Sequence, residues 1–151
     1  MKKMVVFTLF SLLLIGMATG CGPKTVRVSG RITFDGEPGK DISVLFQSAS
    51  TGNTVPEPAV GLTNEKGEFS LALTDSRKRG AIPGDYVVYI AWVNPNQGDV
   101  VEGSTQNTPI PYKIPTRAKN GQLTFTVPPE GTTEANFEFD SKKESYAPSG
   151  V

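Results

Sequence analysis

After its first 20 residues, this chain places apolar side chains at every second position, a period that fits strands and does not fit helices. Val26, Val28, Gly30, Ile32 and Phe34 fall on one face, with Arg27, Ser29, Arg31 and Thr33 on the other. Ile42, Val44 and Phe46 repeat the pattern, as do Phe69, Leu71 and Leu73, then Leu123, Phe125 and Val127, then Ala135, Phe137 and Phe139. Val60 and Leu62 form a shorter run. The segment YVVYIAWV, from Tyr86 to Val93, is apolar on both faces, as a central strand requires. No stretch after Cys21 keeps a helical period over 11 residues.

The strands are punctuated by turn chemistry. Asp35-Gly36 and Lys66-Gly67 put glycine where a tight turn needs a positive φ. Pro38-Gly39 and Pro83-Gly84 mark further turns, and Tyr86 is placed to cap one end of the core. The expected fold is all-β, a seven-stranded antiparallel β-sandwich whose inward Phe, Val, Leu and Ile form the core.

Three motifs, in order, carry a resemblance. Val28-Ser29-Gly30-Arg31-Ile32-Thr33-Phe34-Asp35-Gly36-Glu37-Pro38 resembles the V-x-G-x-V-x-x-x-G-x-P opening of carboxypeptidase regulatory-like domains. Thr63-Asn64-Glu65-Lys66-Gly67-Glu68-Phe69 is similar to their T-D-x-x-G-x-F hairpin, with Asn64 in place of Asp. Gly80-Ala81-Ile82-Pro83-Gly84-Asp85-Tyr86-Val87-Val88 is similar to their G-x-x-P-G-x-Y-x-V entry to a central strand. Residues 114–139 resemble the last strands of small bacterial lipoproteins built on this transthyretin-like (prealbumin-like) sandwich. The resemblance implies Greek-key topology and an accessory or binding module without catalysis.

The leader has a different character. Lys2 and Lys3 precede an apolar run from Met4 to Ala18, followed by Thr19, Gly20 and the single cysteine, Cys21. Basic, then apolar, then small is the layout of a secretory signal peptide. The 15 residues of this almost wholly apolar run reach about 22 Å as a helix, short of a hydrocarbon core of about 30 Å. Ala18-Thr19-Gly20-Cys21 resembles a bacterial lipobox, with Ala18 where Leu is usual. That resemblance implies cleavage before Cys21, a diacylglycerol on its thiol and an acylated amino group. The plainer alternative is ordinary cleavage that leaves a free thiol. Gly22 in place of Asp favours the outer membrane in enteric bacteria. The expected organisation is a signal over residues 1–20, a lipidated tether over 21–24, a sandwich domain over 25–140 and a tail over 141–151.

Composition then narrows the chemistry. The full chain of 151 residues has 15 basic and 15 acidic residues; from Cys21 onward 131 residues carry 13 and 15, a formal −2. That balance argues against nucleic acid as a partner. The chain has no His, which excludes His-based triads and His-ligated zinc or iron. It also separates the chain from hydroxyisourate hydrolases and intradiol dioxygenases, which share the broad fold and depend on His. The expectation is a non-enzyme with no cofactor and no metal. Glu65, Glu68, Asp35, Glu37 and Asp41 near turns are oxygen donors of the kind calcium accepts, but no D-x-[DN]-x-[DN]-G loop is present.

Two features remain as candidates. Arg77-Lys78-Arg79 is the only dense basic run, read either as a solvated loop or as a patch for anionic lipid or cell-wall phosphate. Residues 94–121 lack periodicity and contain Pro95, Pro109, Pro111 and Pro115; loops of this length are often functional. Trp92, Asn94 and Tyr112, with Asn96 and Gln97, would make a carbohydrate or peptide platform. Otherwise Trp92 packs in the core and the segment covers a sheet edge. The expected function is a cell-envelope lipoprotein held to the membrane through Cys21, whose sandwich binds an envelope protein, or alternatively an envelope glycan.

Overall fold

The computed structural model describes residues 24–52, 55–95 and 111–145. Its strands are β1 (Ser29–Phe34), β2 (Glu37–Pro38), β3 (Ile42–Ser48), β4 (Ala59–Leu62), β5 (Glu68–Ser70), β6 (Ala72–Leu73), β7 (Gly84–Trp92), β8 (Leu123–Val127) and β9 (Phe137–Phe139), with one helical turn, α1 (Thr116–Lys119). They form two sheets. One is centred on β1, which pairs with β2, β5 and β9; the other runs β6-β4-β3-β7-β8. The expected signal, Cys21 and the expected tether up to residue 23 lie outside the described residues, as do residues 53–54, 96–110 and those from 146 onward.

Alternation explains the layers. Ile42, Val44 and Phe46 of β3 are fully buried and face Tyr86, Val88 and Ile90 of β7, none more than 2 % exposed. Ile32, Phe34, Phe69, Phe137 and Phe139 fill the core from the other sheet. Phe46 joins the two layers: its ring centroid lies 5.7 Å from Tyr86, 5.5 Å from Phe125 and 6.3 Å from Phe137. Such ring pairs add about 0.5–1.5 kcal/mol beyond area burial.

The turns follow the local chemistry. Asp35 and Gly36 both take positive φ, 53° and 87°, between the paired Phe34 and Glu37. Two left-handed residues in a two-residue loop match the right-handed twist of the flanking strands. In the β4–β5 connection, which passes from one sheet to the other and is not the hairpin the motif implied, Asn64 Oδ1 accepts from the amides of Lys66 (2.9 Å) and Glu68 (3.0 Å), and Gly67 closes the turn at φ 74°. Tyr86 is 1 % exposed and donates its hydroxyl to the Ile82 carbonyl at 2.6 Å, a tyrosine-corner arrangement that ties the strand entry to the core. Burial raises the Tyr86 phenol pKa above its usual value.

Three features depart from the expectation. One pair is parallel, not antiparallel: β9 lies alongside β1, with Ile32 opposite Phe137 and Phe34 opposite Phe139. The chain leaves β8 in one sheet and crosses to the other, so β9 arrives running with β1. Val60 and Leu62 face outward, 37 % and 57 % exposed, while Ala59 and Gly61 face inward. A larger inward residue would not fit, because a Cβ on Gly61 would stand 2.9 Å from the Ser70 carbonyl oxygen. The aperiodic segment before β8 contains α1, whose Ala118 is fully buried.

Arg117 of α1 locks the C-terminal segment in place. Its guanidinium donates to Glu144 through Nε (2.8 Å) and Nη2 (2.5 Å) and lies 5.4 Å from the centre of the Phe139 ring. The Arg117 hydrogen bonds hold the Glu144 carboxyl below the usual carboxylate range. A carboxylate whose folded pKa is depressed stabilises the fold above its unfolded value, and that stability is lost as pH falls through the folded pKa. Water screens part of the pair, since the Arg117 side chain is 41 % exposed. Glu144→Gln is therefore expected to cost about 1 kcal/mol at neutral pH and to flatten the fall in urea midpoint below about pH 4.5. An unchanged acid dependence in the variant would reject this assignment.

Candidate functional site

Strand direction separates the two ends of the sandwich. β1 runs from Ser29 to Phe34, β7 from Gly84 to Trp92, and antiparallel β3 from Ile42 to Ser48. Phe34, Ile42 and Trp92 thus share one end, and the entering chain at Val26, bridged to Ala81, shares the other with Gly84 and Ser48.

The sequence-derived candidates Trp92, Asn94 and Tyr112 meet at the first of these ends. Residues 40–42 are the hinge between them. Trp92 is the register partner of Ile42, and the Val93 amide donates to the Asp41 carbonyl at 2.8 Å. Tyr112 approaches from the other side, its hydroxyl accepting from the Lys40 amide at 2.9 Å. Its ring stacks on Phe34 with centroids 4.9 Å apart, and Phe34 stacks in turn on Phe139 at 5.3 Å. Asp41 carries a left-handed φ of 57°, so the chain doubles back sharply where these contacts converge. Thr63, only 3 % exposed, holds the inner side of the turn: its Oγ1 accepts from Ile42 N at 2.8 Å.

These aromatics are structural as placed. Trp92 extends the inward row of Tyr86, Val88 and Ile90, is half-buried and packs against the core. Tyr112 is also half-buried, with one face against Phe34 and its hydroxyl engaged. Asn94 is half-buried just beyond the strand. Lys40 and Glu65 were not singled out as a pair by sequence, yet Lys40 Nζ lies 3.2 Å from Glu65 Oε1. The Glu65 hydrogen bond raises the Lys40 pKa. They are 25 positions apart, and the antiparallel β3–β4 pairing brings them together, so no local signal marks them. Asn96 and Gln97 lie outside the described residues.

Elsewhere the surface has shallow recesses. One of about 690 Å³ includes Asp35, Glu138, Asp140 and Lys142. Asp140 is held below the usual carboxylate range by the Lys142 amide, and Asp35 Oδ1 accepts from the Ser141 amide at 2.7 Å. Among the described residues no group of three or more His, Cys, Asp or Glu side chains is placed to hold a metal ion.

A second surface lies on the outer face of the five-stranded sheet. Ala72, Val60, Leu45 and Tyr89 are consecutive register partners across β6, β4, β3 and β7, and all alternate away from the core. Tyr89 is partly covered, since Gly121 comes so close that a Cβ there would stand 2.6 Å from its hydroxyl oxygen. Val60 stays open, with Leu62 on the same face of β4.

Compared with protein-family models, curated proteins and solved structures, the chain matches none.

The role of Tyr112 is directly measurable. Tyr112→Phe keeps the Phe34 stack and removes the acceptor for Lys40 N, so it is expected to lower stability by about 1 kcal/mol. Tyr112→Ala also removes the stack and is expected to cost about 3 kcal/mol. Equal urea midpoints for wild type and Tyr112→Ala would show that this contact does not hold the turn.

Proposed function

We propose that the chain is a cell-envelope lipoprotein, anchored by acyl groups on Cys21, whose sandwich is a non-catalytic protein-interaction module. In this reading the fold is the seven-stranded Greek-key, transthyretin-like type of carboxypeptidase regulatory-like domains, with the two-residue strands as short additions. Support for the anchor is the order of basic, apolar and small residues ending at the only cysteine. One acyl chain holds a protein only marginally, whereas two or three on one residue fix it without a spanning helix.

The observation that carries the docking role is the outward row of Val60 and Leu62 beside Leu45. β4 reverses the expected burial, hiding Ala59 and Gly61 and presenting its two large apolar side chains to solvent. Apolar surface of this kind, standing side by side on a sheet face, marks an interaction site more often than scattered exposed residues do. The glycan reading has weaker support. A sugar platform needs a free aromatic face and free polar groups, while Tyr112 has committed both one face and its hydroxyl.

Two substitutions test the reading together. Cys21→Ala is expected to move the protein from the membrane fraction to the soluble fraction when membranes are washed in about 500 mM NaCl, which screens surface charge. Val60→Asp with Leu62→Asp is expected to leave the thermal midpoint within about 3 °C and to reduce co-purification of a stoichiometric envelope protein at least about tenfold. Undiminished partner recovery in the double variant rejects docking through this face. A change in Trp92 fluorescence on adding envelope glycans would favour the glycan platform instead.

A further inference from the structure

The end of the sandwich where the chain enters gathers basic residues from two distant stretches. Val26 N donates to the Ala81 carbonyl at 2.8 Å, and Ala81 N returns a bond to Val26 at 3.0 Å. Gly80 makes this approach feasible: its φ is +101°, and a Cβ there would stand 1.9 Å from the Val26 carbonyl oxygen. The entering segment with Lys24 and Arg27 is thereby laid against the β6–β7 connection with Arg77, Lys78 and Arg79. All five side chains are exposed.

Arg27 and Arg79 line one recess of about 500 Å³, with Val28, Leu71 and Gly80 also in its wall. Among the described residues, no carboxylate lies within 4.0 Å of the guanidinium of Arg27, Arg77 or Arg79. The adjoining β8–β9 connection brings the acids Glu130 and Glu134 into this region, and neither pairs with Arg27. Glu57, the acid facing Lys78, is held by the amides of Asp75 and Ser76, the latter at 2.7 Å, and these bonds keep it below the usual carboxylate range.

We infer that Lys24, Arg27, Arg77 and Arg79 form a contact for anionic phospholipid headgroups, seating this end of the sandwich on the membrane. The inference rests on the reading of Cys21 as the lipidated residue. From Cys21 to Val26 the chain spans at most about 18 Å, so an acylated Cys21 keeps the basic corner within reach of the headgroups. Unpaired guanidiniums brought within a Debye length of a negative surface, about 10 Å at 0.1 M salt, gain on the order of fivefold in partitioning per residue. β7 then carries Trp92 about 26 Å away from the seated end, toward the open side.

The test uses the chain from residue 21 onward without lipid and with Cys21→Ser, which retains every described strand. It is co-sedimented with phosphatidylcholine vesicles, and with vesicles containing about 30 % phosphatidylglycerol, in about 50 mM and about 500 mM NaCl. The expected result is at least about tenfold more binding to the anionic vesicles at low salt, abolished at high salt. Arg77→Glu with Arg79→Glu is expected to bring binding down to the phosphatidylcholine level, and Arg27→Gln to reduce it about fivefold, with thermal midpoints within about 2 °C of the parent. Equal binding to both vesicle types, full binding by the double variant, or displacement by about 5 mM inorganic phosphate, which would mark a free-phosphate site, each overturns the inference. No lipid is attached in this assay, so its failure is read separately from the Cys21→Ala fractionation that tests the anchor.

Discussion

Phe46 is the contact on which the two-layer arrangement depends. It is fully buried, lies on β3 at the middle of the larger sheet, and touches Tyr86 and Phe125 within its own layer and Phe137 in the other. Phe137 in turn stacks near Phe69 at 6.4 Å, so both layers share one aromatic cluster. A buried Phe in such a setting contributes about 3–5 kcal/mol relative to Ala, a large share of the stability of a domain this size. No disulfide can substitute for it in a chain with a single cysteine.

Once the layers are pinned there, the strand directions assign roles to the two ends. At one end Gly80 admits the entering chain beside the β6–β7 connection, and basic residues collect. At the other, residues 40–42 hold Trp92 and Tyr112 in place through backbone pairing and the Lys40–Tyr112 bond. The aromatic residues that look most like a binding platform in sequence are therefore committed to closing the core. The exposed apolar side chains, Val60 and Leu62, are on a sheet face instead, where the docking proposal puts the partner.

Much of the fold was legible because its determinants are local. Alternation placed Ile42, Val44 and Phe46 inward, and Asp35-Gly36 gave a two-residue turn with both φ values positive. Tyr86 closes its end of the core as its position after Pro83-Gly84 implied. What was not legible depends on neighbours far along the chain. The inward face of β4 is small because Ser70 and Phe69 press on Gly61, and hydropathy alone would have hidden Leu62. The parallel β9 pairing follows from a crossover between sheets, which alternation cannot reveal. α1 is a single turn of four residues, too short for a helical period to register. At the candidate sites, Trp92 and Tyr112 stood out as aromatic types, but their burial, and the meeting of Arg27 with Arg79, appear only once the strands are assembled.

The sheet edges bear on why the docking proposal places a partner on a face and not on an edge. An exposed strand edge offers unpaired amides and carbonyls to any extended segment, and short strands limit that liability. Here β6 and β2 have two residues each, β2 ends in Pro38, and β9 has three. β8, the longest edge at five residues, turns Thr124 and Thr126 outward, and the Thr126 hydroxyl bonds Asp85 Oδ1 at 2.6 Å. A hydroxylated edge of this length gives an added strand few ladder bonds and no apolar row to cover. The Val60–Leu45 surface offers the opposite: little backbone hydrogen bonding but contiguous side-chain area, which favours a partner that covers the sheet over one that extends it.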